Sequence, residues 1–314
     1  MKSLAVLLSV VLALAFAEAA LRIARFEYHI YPVVQFGWPD PQAIAEAYRS
    51  DPDVVWTTLD FTEKLRYARQ DHPAVVFMGD SCTEFGTYPS LTLARLGGTN
   101  PALATGVKFG VGGWSSEQGL TLLHRDIVTL PVKPRVVTFY FGWNDHWVAL
   151  GPSDPQLTFV RKVSWLADHA RLMQLAIKVW MGRFGSVQNR PNRVPIERYR
   201  ANLRAMIQES RAAGIRPVVI TAPSNHIRGH EPEYLKLRHV RSLDEVVPLH
   251  DAYMAATRQV AREDGATLCD AAQVFGRLPP PRGLYFRSDG IHLSPVGDRA
   301  MADIVAGCIL EAAR

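Results

Sequence analysis

The sequence predicts an α/β protein, a three-layer α/β/α sandwich around a central parallel sheet. From residue 74 onward, short and almost continuously apolar runs alternate with longer runs of helical periodicity. Parallel strands covered by helices on both faces give this pattern, because neither face of such a sheet meets water. The chain has 314 residues, of which 48% are hydrophobic and 21% charged, an ordinary balance for a globular protein with its own core.

The predicted elements alternate along the chain. The strands are 74–78, 106–109, 135–141, 216–222 and 265–270, and the helices lie near 115–129, 197–213, 249–263 and 295–312. The last helix has the clearest start, since Ser294 is a favoured N-cap residue and Pro295 suits the first helical position. Two longer segments, near 146–195 and 224–246, interrupt the alternation and are interpreted as insertions.

Residues 1–25 form a segment of their own. Lys2 precedes a run of 15 uncharged, mostly apolar residues that ends at Ala17. Residues 15–17 fit the small-x-small pattern of a signal-peptide cleavage site, whereas a helix that continues to Arg22 has about the 20 residues of a membrane span. A buried first helix of a cytosolic domain is the alternative, but the run lacks a polar face. We expect an exported protein, either membrane-anchored or periplasmic or extracellular, with cleavage left open.

Composition also limits the partners and cross-links that the sequence predicts. The net charge of +5 is modest and the basic residues are scattered, so no nucleic-acid partner is predicted. The cysteines at 82, 269 and 308 are odd in number and lack CxxC spacing, so neither a disulfide framework nor a structural zinc site is predicted. Residues 26–72, rich in aromatic residues and proline, are interpreted as a lead-in or stalk that packs on a domain of residues 73–314.

Glycine and polar residues follow the predicted strands. Gly-Asp-Ser ends at Ser81, GVGGWSS covers 110–116, GWND covers 142–145, PSNH covers 223–226, and SDGIHLSP covers 288–295 before the last helix. The carboxyl ends of parallel strands meet at one edge of a sheet, where such folds place their chemistry. We therefore expect these segments to converge on one site.

The residue types in these segments suit acyl transfer. A serine hydroxyl is a weak nucleophile and needs a base, for which His292 is the candidate to serve Ser81. Asp289, three residues earlier, would orient the ring and stabilise its charged form. Charge that develops on the substrate carbonyl oxygen needs donors already aimed at it. The candidate donors are the N–H of Ser81, the N–H of Gly113 and the side-chain amide of Asn144.

Together the segments resemble the SGNH (GDSL-type) esterase/lipase family, whose four blocks contribute Ser, Gly, Asn and His in that order. They read GDS with Ser81, GVGG with Gly113, GWND with Asn144, and DGIH with Asp289 and His292. The resemblance spans about residues 74–312. It implies a flavodoxin-like fold, hydrolysis or transfer of ester-linked acyl groups, and no metal or organic cofactor.

Two residues depart from the family pattern. Cys82 stands where the family often has Leu or Ile, and Lys108 stands where it often has Asn. Neither change removes a catalytic group, although we expect Lys108 to alter loop bracing or the charge near the site. Gly112 is the alternative to Gly113 as oxyanion donor if the register differs by one. We expect Cys82 to be a small buried thiol.

Several alternatives remain open for the polar residues. Ser81 could simply cap the helix that follows it. A dinucleotide loop would need glycine at position 115, which is Ser115. The metal site of a phosphoesterase could use the carboxylates at 80 and 145 with the imidazoles at 146 and 292, but no DxH motif precedes Gly79. Asp80 and Asp145 are instead expected to brace loops.

The insertions would set specificity. Residues 157–185 carry apolar side chains at roughly helical spacing, namely Phe159, Val163, Leu166, Met173, Ile177, Trp180 and Met181. They form either a lid or acyl-chain pocket, or a core-facing amphipathic helix. In the second insertion His226, Arg228, His230 and Arg238 could contact a polar or anionic substrate, although a solvated loop would have the same composition.

The sequence therefore predicts a serine hydrolase that cleaves acyl esters of a small molecule, an envelope carbohydrate or a lipid. One alternative is an O-acyltransferase that passes the acyl group from the same serine to a sugar hydroxyl. The other is a non-catalytic envelope-binding protein, which the presence of every catalytic block disfavours. Membrane association through the N-terminal segment is compatible with each.

Overall fold

Strands in the centre of the molecule form a five-stranded parallel sheet. The computed structural model describes residues 2–28, 47–149, 153–183, 186–237 and 240–314. Its strands are β1 (Tyr48–Asp51), β2 (Val55–Thr58), β3 (Val75–Gly79), β4 (Gly106–Gly110), β5 (Val136–Tyr140), β6 (Arg216–Ile220) and β7 (Thr267–Cys269). The sheet has the order β4-β3-β5-β6-β7 with every neighbouring pair parallel. All five of its strands were predicted.

The described residues also form α-helices, several of which cover this sheet. They are α1 (Lys2–Ile23), α2 (Phe61–Gln70), α3 (Ser81–Glu84), α4 (Tyr88–Thr99), α5 (Ser116–Leu122), α6 (Trp143–His146), α7 (Thr158–Ala167), α8 (Arg171–Gly182), α9 (Ile196–Ala212), α10 (Val246–Glu263), α11 (Ala271–Gly276) and α12 (Pro295–Ala312). α4 packs on α12, and α9 packs on α5 and α10. Because β3 and β5 are buried over their whole length, their apolar sequences match a sheet covered on both faces. The predicted three-layer class is confirmed.

The helix predictions agree with α5, α9, α10 and α12. A π-helical turn over Leu123–Ile127 extends α5, so the predicted segment near 115–129 is one continuous helical stretch. The Ser294 hydroxyl accepts hydrogen bonds from the Val296 and Gly297 N–H groups at 3.2 and 3.1 Å, as its N-cap assignment requires. The helices α2 and α4 were not predicted.

The lead-in has more regular structure than its composition indicated. Within the described part of residues 26–72, β1 and β2 form an antiparallel hairpin, and α2 follows it. Tyr48, Trp56 and Phe61 are buried. The described part of this segment is therefore regular folded structure with buried aromatic side chains. Residues 29–46 lie outside the described residues.

The prediction of no disulfide is wrong. Cys269 at the end of β7 and Cys308 on α12 form a disulfide with a Cα–Cα distance of 5.6 Å. Their sequence separation of 39 gave no signal, because the two cysteines meet only when α12 packs beside β7. Cys82 remains a free, buried thiol, and burial raises its pKa well above the ordinary value.

The first helix, α1, contacts the domain near its C-terminal end. None of its residues is buried, so the alternative of a buried first helix is wrong. Within the described residues, α1 is the helix long and apolar enough to cross a membrane, with a mean hydropathy of 2.5. At its base the Glu18 carboxylate accepts hydrogen bonds from the Arg171 and Leu172 N–H groups at 3.0 and 2.9 Å. These N–H groups open α8, where a carboxylate is favourable.

The first insertion contains the helices α7 and α8. Val160, Ile177 and Met181 are buried in the core, whereas Trp165 and Val179 are more than half exposed. α7 packs on the β1–β2 hairpin and α8 packs on α1. The interpretation of this segment as a core-facing amphipathic helix therefore holds for its buried side chains. The Phe159 side chain lies outside the described part of the structure.

The disulfide predicts the thiol content of the protein. Purified without reductant and then denatured, the chain should expose one reactive thiol, that of Cys82, and three after reduction. The variant Cys308→Ser should lose about 2–4 kcal/mol of unfolding free energy, because the open chain gains entropy in the unfolded state. Cys82→Ala, which keeps the disulfide, is the control in the same denaturant titration. Three reactive thiols before reduction would contradict the pairing.

Candidate active site

Ser81 occupies the first position of α3, two residues after the end of the interior strand β3. The Asp80 side chain caps this helix, with Oδ1 accepting a hydrogen bond from the Cys82 N–H at 2.9 Å. The alternative that Ser81 is the cap is therefore wrong. Its hydroxyl is left for a partner outside the helix.

Ser81 lies in a chain of hydrogen bonds with the two predicted partners from the end of the sequence. The His292 Nε2 atom lies 2.9 Å from the Ser81 Oγ atom, and Nδ1 lies 2.7 Å from Oδ2 of Asp289. The other carboxylate oxygen of Asp289 accepts the N–H groups of Ile291 and His292, each at 2.8 Å. The turn therefore holds the carboxylate and the ring in fixed relative positions.

The charge state of Asp289 follows from these contacts. Burial alone would raise the pKa of Asp289, but the hydrogen bond and charge of His292, with the N–H groups of residues 291 and 292, hold it below its ordinary value. An ionised carboxylate can only accept hydrogen bonds, so Nδ1 of His292 carries the proton. In the neutral ring Nε2 is then the acceptor, and it takes the hydrogen bond of the Ser81 hydroxyl.

Two side chains of the second insertion support the backbone at Asp289. His226 Nε2 and the Tyr234 hydroxyl donate hydrogen bonds to the Asp289 carbonyl oxygen at 2.9 and 3.1 Å. Burial lowers the pKa of His226 below its ordinary value, which keeps the ring neutral. His226 is therefore a support of the Asp289 turn rather than a free substrate contact. Arg228 and His230 are exposed, and residue 238 lies outside the described residues.

The Gly112–Gly113 loop follows β4 and is held through its peptide groups. The Gly112 N–H donates to the Glu84 carboxylate, and the Gly112 carbonyl accepts a hydrogen bond from Trp56 Nε1 at 2.9 Å. The Gly113 carbonyl accepts one from Arg193 Nη1 at 2.7 Å. Gly112 and Gly113 together have two N–H and two carbonyl groups. Among these, the Gly113 N–H has no hydrogen-bond partner within the described residues. Gly112 is therefore not the free donor.

Asn144 lies in α6, after β5, and its amide contacts the nucleophile turn. Asn144 Nδ2 donates to Oδ2 of Asp80 at 3.2 Å, which uses one of its two amide hydrogens. Burial raises the pKa of Asp80 to about 6, although the Cys82 N–H and the charge of His292 oppose this shift. Asp80 thus joins Asn144 to the turn that carries Ser81.

Asp145 braces two loops, as expected. Its Oδ1 accepts the Ser116 N–H at 2.9 Å, and Oδ2 accepts the Gly142 N–H at 3.1 Å. Burial raises the pKa of Asp145 to about 7, although the bonds from Ser116 lower it. The loops after β4 and β5 are therefore tied together beneath the site.

The four residues considered as metal ligands are committed to other partners. Asp80 and Asp145 accept the hydrogen bonds described above, His146 lies 3.2 Å from a ring nitrogen of His250, and His292 bridges Ser81 and Asp289. Across the described ranges, no group of three or more His, Cys, Asp or Glu side chains is placed to hold a metal ion. The donor arrangement therefore gives the metal interpretation no support.

Lys108 supports the end of the nucleophile helix. Its Nζ atom donates to the carbonyl oxygens of Glu84 and Gly86 at 2.7 and 3.2 Å. Glu84 is the last residue of α3, where a cation is favourable, and Gly86 follows two residues later. Lys108 therefore braces the segment that follows Ser81.

Sequence reasoning missed the side chains that hold the glycine loop. Tyr48 and Trp56 come from the lead-in, Glu84 from α3, and Arg193 from the end of the first insertion. The aromatic richness of residues 26–72 was the signal for the first two. Nothing in the local sequence of Glu84 or Arg193 separates them from ordinary surface residues.

Comparison with known proteins gives one family and one fold. The model of the GDSL-like Lipase/Acylhydrolase family matches residues 77–300. A GDSL-like lipase from Parabacteroides merdae is similar in structure, with a TM-score of 0.51 at 16% identity over 74% of this chain and 94% of that one. A lipase/acylhydrolase from Enterococcus faecalis has a TM-score of 0.48 at 16% identity over 75% and 94%. No match was found among curated proteins.

The tight packing at Gly112 predicts a stability cost for a side chain there. A Cβ at Gly112 would lie well inside van der Waals contact with the Tyr48 hydroxyl. Gly112→Ala should therefore lose about 1–3 kcal/mol of unfolding free energy in a denaturant titration. Adding Tyr48→Phe should recover part of the loss.

The matched control is Gly98→Ala. Gly98 lies exposed in α4 with no heavy atom within 4 Å of its added Cβ, so this variant should be as stable as the wild type or more so. Equal stability of both glycine variants would contradict the proposed packing at Gly112.

Proposed function

We propose that this chain, which belongs to the GDSL-like lipase/acylhydrolase family, hydrolyses ester-linked acyl groups with Ser81, His292 and Asp289 as its catalytic triad. The observation that carries the proposal is the hydrogen-bonded series from Asp289 through His292 to Ser81, with heavy-atom distances of 2.7 and 2.9 Å. A nucleophile, a base and an orienting carboxylate in this order are the parts that serine acyl transfer requires.

The first half of the reaction forms an acyl-enzyme. The Ser81 oxygen attacks the ester carbonyl carbon while His292 Nε2 takes the hydroxyl proton, and the Asp289 carboxylate stabilises the charged ring. The negative charge on the former carbonyl oxygen is stabilised by the Ser81 N–H, the Gly113 N–H and the Asn144 amide. The alkoxide then leaves with the proton that His292 returns.

The second half reverses these roles. A water molecule gives its proton to His292 and attacks the acyl carbon on Ser81. Collapse of the second tetrahedral intermediate returns the proton to the serine oxygen and releases the carboxylic acid. No other reactant is consumed, so the net reaction is ester plus water to alcohol plus acid.

Two observations support export. α1 has the length and apolar character of a signal peptide or membrane anchor. The Cys269–Cys308 disulfide supports the same conclusion independently, because disulfides persist in oxidising compartments and are rare in the cytosol. We place the catalytic domain outside the cytoplasm, where carbohydrate or lipid esters of the cell envelope are candidate substrates.

The decisive experiment is hydrolysis of p-nitrophenyl esters of increasing chain length by the full-length protein in detergent. Ser81→Ala should lower kcat by at least about 10⁴-fold, because the nucleophile is lost. Ser90→Ala, an exposed serine in α4 whose hydroxyl donates to the Thr87 carbonyl, is the control and should retain full activity.

Retention of activity by Ser81→Ala would contradict the mechanism. No serine-dependent release from any chain length by the wild type would contradict hydrolysis and favour transfer to a specific acceptor. A preference for short or long chains would define the acyl group.

Substitution of the residues that support Ser81 and His292 should lower kcat by different amounts. Asp289→Asn should lower kcat about 10³- to 10⁴-fold, because His292 loses the partner that fixes its tautomer. Asn144→Ala should lower kcat about 100- to 1,000-fold through loss of an oxyanion donor. Steady-state kinetics with p-nitrophenyl acetate measure both, with thermal unfolding as the check on folding. A drop in activity that only follows a drop in stability would argue against these roles.

A further inference from the structure

The peptide unit between Gly112 and Gly113 is anchored at one end. A trans peptide is planar, so the Gly112 carbonyl and the Gly113 N–H point in opposite directions from the same plane. Trp56 Nε1 donates to that carbonyl at 2.9 Å, and the bond is buried. The direction of the carbonyl therefore determines the direction of the N–H.

The neighbouring peptide groups are fixed as well. Arg193 donates to the Gly113 carbonyl and is itself held by both carboxylate oxygens of Asp154, at 3.1 and 2.7 Å. Gly113 has a φ of +75°, in the left-handed region that glycine adopts without strain. Two adjacent glycines would otherwise rotate freely, so the loop owes its conformation to these side chains.

We propose that Trp56 is a positioning residue that aims the Gly113 N–H at the reacting carbonyl oxygen. The inference rests on the proposed function, since it concerns the same oxyanion. An oxyanion donor acts through its direction, because it must already face the oxygen when charge develops. Trp56 touches no reacting atom and acts only through the peptide that carries the donor.

The support comes from outside the part of the chain that defines the family. Trp56 lies in β2, before residue 77, where the match to the family model begins. Trp114 returns the contact, since its Nε1 donates to the Trp56 carbonyl at 2.9 Å. The two indoles thus clamp the hairpin to the loop, but only the Trp56 bond ends on the peptide that carries the donor.

Trp56→Phe tests this inference, and Trp114→Phe is its matched control. Each variant removes one buried indole hydrogen bond of 2.9 Å, so both should lose similar stability. With p-nitrophenyl acetate, Trp56→Phe should lower kcat about 10- to 100-fold, as expected for misplacement of a catalytic group. KM should stay within about twofold, because the ester is bound before charge develops. Trp114→Phe should leave kcat nearly unchanged.

A second measurement separates a change in the direction of the Gly113 N–H from a loss of folding stability. Phenylboronic acid forms a tetrahedral adduct when the serine oxygen bonds to boron and the hydroxyl proton passes to His292, and one boron-bound oxygen then occupies the oxyanion position. Its affinity for Trp56→Phe should fall by the same factor as kcat/KM. Should Trp56→Phe fail to fold, Trp56→Tyr, which keeps an aromatic ring and removes the indole N–H that reaches the Gly112 carbonyl, should show the same coupled losses.

The outcomes separate this inference from the proposed function. Full activity of Ser81→Ala would overturn the proposed function itself. A protein that needs Ser81, but in which Trp56→Phe keeps its kcat and boronate affinity, would overturn only the positioning role. Equal kcat losses in Trp56→Phe and Trp114→Phe would do the same, because they would show a general effect of the clamp.

Discussion

The parallel register of β3, β4 and β5 is the constraint on which the site depends. Gly79, the last residue of β3, pairs with Gly110 at the end of β4 and with Tyr140 in β5. Three strands therefore end at one level, and the loops that follow begin side by side. A shift of any strand would separate the loops that carry Ser81, Gly113 and Asn144. The site is thus a consequence of backbone pairing before any side chain contributes.

The carboxylates around the site differ in their surroundings and in the direction of their pKa shifts. Asp80 and Asp145 are deeply buried, and burial raises their pKa values to about 6 and about 7 while they hold loop N–H groups. Asp289 faces a histidine and two N–H groups, and its pKa is lowered. The carboxylate proposed to work in catalysis is thus the one whose charged form the surroundings stabilise, while the other two serve as structural acceptors.

The sequence was informative wherever a local pattern carries the signal. Apolar runs located all five strands of the sheet, and the motifs after them located the residues that the structure brings together around Ser81. The strands of the β1–β2 hairpin have only four residues each, and the disulfide and the contacts of Trp56 and Arg193 depend on packing between distant segments. Short strands and single side chains of this kind have no periodicity to detect, so only the folded chain reveals them.

The disulfide also bears on when this protein acquires its site. The covalent loop between Cys269 and Cys308 encloses Asp289 and His292, whereas Ser81, Gly113 and Asn144 all precede it. A chain synthesised from its N-terminus therefore makes the base and its carboxylate after the other candidate groups. The cross-link that secures the segment carrying them forms only under oxidising conditions. A fully secured site therefore forms only after the Cys269–Cys308 bond has been made.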